Sequence, residues 1–466
     1  MLVQDGLPPP ARYRAAAVII LGVALSALDG TIVNLALPSI ARDLQTSAAQ
    51  AIWVVNAYQV AILALLLPLA SLGDMVGYRR VYLSGAALFT AASLVCTLAS
   101  SLPLLAAARA IQGLGAAGIM STNLALVRLI YPRRLLGRGL ANNAMVAAVA
   151  TVAGPSLAAG ILSVGSWPWL FAVNLPLGVI VLWLGFRALP QNPVAHPAGT
   201  RLSWLDVLLN ALMFSLLILG ADSLGIGTGR SATSSALAGG VAMLVGGVAV
   251  GVIYVRRQLT QPLPLFPVDL LRIPMFALSI AASVAAFAAQ TLAYIALPFL
   301  MLDGYGRSPL QAGLLITAWP LVVVVVTPLT GRLIGRYPNG LLGGIGLGTM
   351  AVGLALLAAL PAQPTNANIV WRMVLCGAGF GLFLSPNNHA MLTTAPQHRS
   401  GGAGGMQGTA RLTGQALGAV TLAIVFSFAS AHDGSGPVIA LALAACLAAV
   451  AGTFSALRLR HRHTTA

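Results

Sequence analysis

The sequence LDGTIVN, residues 28–34, lies inside the first long apolar run of the chain, residues 15–37. About 20 consecutive apolar residues suffice for one helical crossing of a bilayer, so the run predicts a membrane-spanning helix. Asp29 stands near its middle. An ionisable side chain at that depth costs at least about 2.5–3.5 kcal/mol on insertion scales, so it marks a candidate functional site. The alternative is a structural carboxylate that is bonded to a neighbouring helix.

The composition indicates a polytopic membrane protein. Of the 466 residues, 58% are apolar and 7% are charged, whereas soluble proteins carry about 25% charged residues. The net charge of +16 comes from arginines, since the chain has no Lys. They fall mainly in short loops between apolar runs, as membrane topology requires. We therefore expect a lipid bilayer around the chain and no nucleic-acid partner.

Apolar runs of about 20 residues predict fourteen membrane-spanning helices. Their approximate limits are 14–38, 50–72, 81–100, 103–129, 138–163, 167–189, 203–221, 233–255, 275–301, 310–330, 340–361, 368–393, 402–429 and 436–457. With the N-terminus in the cytoplasm, most loop arginines, Arg458 among them, lie on the cytoplasmic side. The opposite side receives only Arg42, Arg230 and Arg307, in agreement with the positive-inside rule. Both termini are thus predicted to be cytoplasmic.

The predicted helices divide the chain into three segments. Residues 1–189 form an N-terminal six-helix bundle, residues 190–274 a linker with two additional helices, and residues 275–466 a C-terminal six-helix bundle. The second bundle echoes the first, because GRLIGR at 331–336 occupies the place of GDMVG at 73–77. Paired halves around a midplane site are the usual architecture of secondary transporters.

Cys96, Cys376 and Cys446 lie in apolar runs and are expected to be buried, small hydrophobic residues.

Four stretches carry a family resemblance. They read LDGTIVNLALP at 28–38, LGDMVGYRR at 72–80, RAIQGLGAA at 109–117 and ATVAGPSLAAG at 150–160. In this order the chain resembles the major facilitator superfamily, and within it the fourteen-helix drug:proton antiporters, over almost its whole length. The resemblance implies an all-α fold of two six-helix bundles plus two additional helices. Departures from the family pattern are Ala70, Met75 and Tyr78 around the second stretch, and Ala158 and Ala159 in the fourth.

The resemblance also implies roles for individual residues. Asp29 would be the carboxyl group that switches with the proton, and Arg109 would stand near it. Burial raises the pKa of a carboxyl group and a nearby cation lowers it, so a small rearrangement could move the proton. The alternative for Arg109 is a structural cation that bonds backbone carbonyls.

Two further motifs imply conformational roles. Gly73, Asp74, Gly77 and Arg79 would form a loop that latches the halves in one access state, the alternative being an ordinary solvated turn. Gly154 and Pro155 would bend a helix that seals the cavity, and the alternative is a packing kink.

Candidate substrate contacts are Asn34, Gln112, Met120, Asn174, Asn387, Asn388, Arg411 and Gln415. Arg411 either meets an anionic substrate or pairs with another helix, and His389 either faces the cavity or lies near a helix end.

The resemblance implies a monomeric, proton-coupled exporter of hydrophobic drugs or biocides that works by alternating access in the bacterial plasma (inner) membrane. Since Asp29 is the one acidic residue expected deep in the bilayer, we expect a monovalent cationic cargo, the alternative being a neutral or zwitterionic amphiphile. The alternative within transport is a dedicated exporter of one endogenous metabolite or antibiotic. A chain without Lys has no ATP-binding P-loop, so the energy must come from a gradient. The coupling ion would be the proton, with no other cofactor and no metal. A membrane enzyme or a sensor is disfavoured, because we find no paired carboxylates, His cluster or nucleophile motif.

Overall fold

The computed structural model describes residues 6–191, 203–228, 234–261, 267–395, 400–431 and 433–459. Within these ranges the regular structure is helical, apart from one isolated bridge between Ile334 and Tyr337. Fourteen helical segments of the described chain are long and apolar enough to cross a membrane. The predicted number of spans and the all-α fold are therefore confirmed.

Seventeen α-helices follow one another along the described chain. They are α1 (Pro9–Ile32), α2 (Leu37–Asp43), α3 (Ala48–Ala51), α4 (Trp53–Val76), α5 (Tyr78–Thr97), α6 (Leu102–Ile130), α7 (Leu136–Val164), α8 (Pro168–Ala172), α9 (Asn174–Ala188), α10 (Trp204–Thr228), α11 (Ser234–Leu259), α12 (Pro274–Phe299), α13 (Pro309–Gly331), α14 (Asn339–Ala358), α15 (Asn366–Thr394), α16 (Ser400–Phe428) and α17 (Ser435–Leu457). In a bilayer the backbone has no water to bond, so each crossing satisfies its own polar groups as a helix.

The first span is interrupted after Ile32. A 3₁₀ turn, Val33–Ala36, separates α1 from α2, and Pro38 stands in the first turn of α2. Proline has no backbone N–H and is tolerated at a helix start rather than in a helix interior. The expected single helix over 14–38 is thus two helices joined by a turn, and Asn34 lies in that turn.

The chain forms two compact units. Unit 1 comprises Met1–Val33 and Trp53–Phe214, and unit 2 comprises Asn34–Ile52 and Ser215–Ala466. In unit 1, α1 packs against α6, α7 and α9, and α6 also packs against α4 and α5. In unit 2, α12 packs against α15, α16 and α17, and α14 packs against α15 and α17. Units defined by contacts need not end where sequence segments do, so the boundaries at 189 and 274 stay predictions.

The two units repeat one mode of close helix packing. In unit 1 a methyl group on Gly113 of α6 would lie 2.5 Å from the carbonyl oxygen of Tyr58 on α4. In unit 2 a methyl group on Gly377 of α15 would lie 2.4 Å from the carbonyl oxygen of Trp319 on α13. Small residues allow this approach of membrane helices. The echo between the halves therefore extends from the loop sequence to the packing.

The additional helix α10 is attached to unit 1 by a polar contact. Asn210 is fully buried, and its Nδ2 donates to the carbonyl oxygen of Ala64 on α4 at 2.7 Å.

The outer faces of the helices expose apolar side chains, as lipid contact requires. Cys446 belongs to such a face of α17, so the expectation that it is buried was wrong, whereas Cys96 and Cys376 are buried.

Candidate functional site: a buried ion pair in unit 1

The side chain of Asp29 lies inside unit 1, with 0% of its surface exposed. Its Oδ2 accepts a hydrogen bond from Arg109 Nη1 at 2.6 Å. Its Oδ1 accepts from Gln112 Nε2 at 3.0 Å and from Asn174 Nδ2 at 2.7 Å. Donors from α6 and α9 thus surround the carboxylate, which does not face lipid. The carboxylate is therefore bonded to neighbouring helices, and its role in transport stays a prediction.

Arg109 is 1% exposed and makes contacts of both kinds that the sequence suggested. Besides the carboxylate, its Nη1 donates to Gln112 Oε1 at 2.6 Å, and its Nε donates to the carbonyl oxygen of Val54 at 3.0 Å. The guanidinium carbon lies 4.1 Å from the ring centroid of Tyr58, a cation–π distance. Arg109 therefore pairs with Asp29 and bonds a backbone carbonyl of α4 at once.

Gln112 connects the ion pair to α5. It follows Arg109 by three residues, so both side chains share one face of α6. Its Nε2 also donates to Ser93 Oγ at 2.8 Å, and the thiol of Cys96 lies 3.7 Å from its Oε1. These contacts fix the orientation of the amide. Ser93 was not among the residues chosen from the sequence, because a lone serine in an apolar run carries no distinctive pattern.

The contacts of Asp29 suit a charged carboxylate. All three groups that touch the carboxylate donate hydrogen bonds to it, which is the geometry of the ionised form. Removing one charge of a buried pair leaves the other uncompensated, at a cost of about 3–5 kcal/mol. A proton on Asp29 would thus deprive Arg109 of its counter-ion and favour another position of the guanidinium relative to α1.

The loop motif between α4 and α5 is held by one side-chain bond within the motif and by one bond to α9. Gly73 and Asp74 lie in the last turn of α4, and Gly77 has φ +104°, a conformation open to glycine and rarely adopted by other residues. The Tyr78 hydroxyl donates to Asp74 Oδ1. Among the described residues no cation pairs with Asp74, so its side-chain bond is to a neutral tyrosine. Arg79 donates to the carbonyl oxygen of Phe186 on α9.

Gly154 marks a close contact between α7 and α1. A methyl group at Gly154 would lie 2.1 Å from Thr31 Oγ1, two residues beyond Asp29. Pro155 follows inside the same helix. The packing interpretation is thus supported for Gly154, and a role in sealing a cavity stays a prediction.

The substrate-contact candidates are distributed over both units. Gln112 and Asn174 bind the Asp29 carboxylate and are buried, and Met120 is half-buried on α6. Asn34, Asn387, Asn388, Arg411 and Gln415 belong to unit 2; Asn387 is buried, and the other four are half-buried. His389 is exposed on α15, with Nδ1 3.2 Å from Asn339 Nδ2. Contact of any of these residues with a substrate stays a prediction.

Arg458 is a buried residue that the sequence analysis placed in a loop. It follows the last residue of α17 and is 1% exposed. Its Nη1 donates to Ser279 Oγ at 3.0 Å and to Asn387 Oδ1 at 2.8 Å, and its Nη2 donates to Ser455 Oγ at 2.5 Å. Ser455, three residues earlier in the chain, also accepts from Arg458 Nε through its carbonyl oxygen, and no pattern in the sequence signalled this burial.

A family model described as Major Facilitator Superfamily matches residues 19–419. The chain belongs to the major facilitator superfamily. The superfamily fold also appears in the crystal structure of a POT family transporter in complex with a thioalcohol-conjugated peptide, with a TM-score of 0.73 at 15% sequence identity over 100% of both chains.

Proteins similar to this chain carry the names of different transporters. The uncharacterized transporter YebQ of Escherichia coli (strain K12) is 50% identical, over 98% of this chain and 97% of that protein. The riboflavin transporter RibZ of Clostridioides difficile (strain 630) is 28% identical, over 88% of this chain and 87% of that protein. The multidrug resistance protein Stp of Mycobacterium tuberculosis (strain CDC 1551 / Oshkosh) is 31% identical, over 87% of this chain and 74% of that protein. The chain is therefore a multi-pass membrane transporter of this superfamily.

Proposed function

We propose that this transporter exports hydrophobic, monovalent cationic compounds in exchange for protons across the bacterial plasma (inner) membrane. The observation that supports proton coupling is the fully buried pair of Asp29 and Arg109. Its relative Stp, a multidrug resistance protein, supports the choice of cargo. The protein would act as a monomer with both termini in the cytoplasm, and the proton would be the only coupling ion.

The proposed coupling is indirect. Asp29 has no exposed surface, so in this conformation a cargo molecule does not compete with the proton for the carboxylate. Instead, protonation of Asp29 releases Arg109, and α1 moves relative to α6 as the guanidinium finds new acceptors. Deprotonation restores the ion pair. One proton that crosses 100 mV supplies about 2.3 kcal/mol for this cycle, in addition to the pH difference.

The proposed charge of the cargo follows from the same site. Asp29 is the acidic residue of the described spans that lies farthest from a predicted loop, and Arg109 already neutralises it. A cargo with several positive charges would find little compensation within unit 1. A hydrophobic cation with a single charge does not need a second carboxylate deep in the membrane to compensate that charge.

The alternative is a dedicated exporter of one endogenous compound. RibZ, a riboflavin transporter, shows that relatives of this chain include a protein named for a single compound. A panel of neutral flavins and lipophilic cations would separate the two functions, because only a multidrug exporter would move several unrelated cations.

Efflux from proteoliposomes tests proton coupling. We expect the wild type to drive a fluorescent lipophilic cation against its gradient when a pH gradient is imposed, and an uncoupler to stop it. Asp29→Asn keeps the shape of the side chain but binds no proton, so proton-driven efflux should fall to the level of empty liposomes. Asp43→Asn, the same change at an exposed position, should transport normally. Undiminished efflux by D29N would remove Asp29 from the mechanism.

A further inference from the structure

The cluster around Arg458 in unit 2 holds a buried cation with neutral partners only. No carboxylate among the described residues pairs with it, and its bonds go to Ser279, Asn387 and Ser455. Gly343 leaves room for the guanidinium, because a methyl group there would lie 3.0 Å from Nη2. Burial lowers the pKa of Arg458 to about 10, so the side chain is still charged near neutral pH. A buried charge without a counter-ion is costly.

A cavity of about 180 Å³ lies beside this cation, where the start of α14 meets the ends of α15 and α17. Arg458, Asn339, Gly340, Thr393 and Thr394 supply its polar lining. Water takes up about 30 Å³ per molecule in the liquid, so the cavity has room for a tetrahedral oxyanion.

The start of α14 adds hydrogen-bond donors to the same cavity. No side chain caps this helix, which follows Pro338. The N–H groups of Asn339 and Gly340 belong to the first turn, where a helix has no acceptors of its own. The helix dipole also favours negative charge at this end. The cavity thus receives positive potential from a buried guanidinium and, independently, from a helix N-terminus.

We propose that this cavity is a binding site for a phosphate-bearing anion. Arg458 would supply the compensating charge and the first N–H groups of α14 would bind the phosphate oxygens, as at other helix N-termini. Met275 and Leu459 give the lining an apolar part. The phosphate comes either from an anionic lipid headgroup, since the cavity lies at helix ends, or from a soluble phosphate. The site is separate from Asp29 and does not depend on the proposed transport function.

Thermal unfolding of the purified full-length protein in detergent tests the proposal. The probes are inorganic phosphate, with chloride at equal ionic strength as the reference, and short-chain phosphatidylglycerol, with phosphatidylcholine as the reference. We expect at least one anionic probe to raise the Tm of the wild type over its reference. In Arg458→Gln its binding should be at least about tenfold weaker, since the buried positive charge that attracts the anion is lost. Arg336→Gln, at an exposed position, should bind like the wild type.

The outcomes separate the sources of the anion. A shift with phosphatidylglycerol alone identifies a lipid headgroup, and a shift with inorganic phosphate identifies a soluble ligand. Should R458Q not fold, Asn339→Leu fills the cavity without removing the buried cation and should abolish the shift. The proposal is overturned if neither probe raises the Tm, or if the folded variant binds as tightly as the wild type.

Discussion

Two arginines are buried among the residues that the structure describes, and the partners of their guanidinium groups differ. Arg109 in unit 1 faces the carboxylate of Asp29 at 2.6 Å, whereas the bonds of Arg458 in unit 2 go to hydroxyl, amide and carbonyl oxygens. Protonation of Asp29 would remove the counter-ion of Arg109, whereas within the described ranges no carboxylate pairs with Arg458. At the scale of residues this difference separates a site suited to proton coupling from a site suited to binding an anion.

A double-mutant cycle measures the coupling within the ion pair. Arg109→Met leaves a buried carboxylate without a cation, and the loss of one partner costs about 3–5 kcal/mol. Asp29→Asn leaves the opposite charge alone. In the double variant neither charge remains, so its free energy of unfolding should exceed the additive value by about 0.5–3 kcal/mol. Thermal or denaturant unfolding in detergent would measure this, with the exposed Arg336→Met as control. Strict additivity would show that the two side chains do not interact.

Helix α1 joins the ion pair to the rest of unit 1. It carries Asp29 toward α6 and, two residues later, presents Thr31 to Gly154 of α7. It ends one residue after that contact, at Ile32. The shift of α1 that we propose to follow protonation would therefore have to pass the close contact with α7. At the scale of elements, the motif around Gly154 and the proposed proton site both depend on the packing of α1.

Gly154→Ala tests whether this close contact is needed. The added methyl group would lie 2.1 Å from Thr31 Oγ1, so α1 and α7 must separate. Overpacking of this kind typically costs about 1–3 kcal/mol, and we expect a lower Tm together with slower efflux. Gly160→Ala on the same helix is the matched control, because nothing lies within 4 Å of its added methyl group. Equal behaviour of the two variants would contradict the packing role.

The orientation in the membrane is the open question at the scale of the whole molecule. Loop arginines predict that both termini are cytoplasmic. Residues at opposite ends of spans then differ in access: Asp43 ends α2 on the predicted outer side, and Arg336 follows α13 on the predicted inner side. Both are exposed to solvent or headgroups.

Labelling of introduced cysteines checks this orientation. In a variant without native cysteines, a membrane-impermeant maleimide should label D43C in intact cells, because the predicted outer side is accessible. It should label R336C only after the membrane is permeabilised. An unmodified cysteine-free variant reports background labelling. The reverse pattern would invert the predicted topology and place both termini outside.

The sequence by itself determined the number of spans, the all-α class and the identity of the buried carboxylate. These properties depend on local composition: a long apolar run must become a helix in lipid, and one aspartate within it stands out. The interruption after Ile32 was missed, because a turn of four residues changes neither the length nor the hydropathy of the run.

Only the tertiary structure decided which polar side chains converge. Gln112 and Asn174 were chosen as candidate substrate contacts, and the structure shows that both donate to the carboxylate of Asp29. Arg458 looked like a loop arginine, and it is buried among serines and Asn387. Such contacts join residues far apart in the chain, and their positions depend on how the helices rotate and approach. Hydropathy is nearly uniform along these helices, so the sequence carries little information about that rotation, and side-chain packing supplies it.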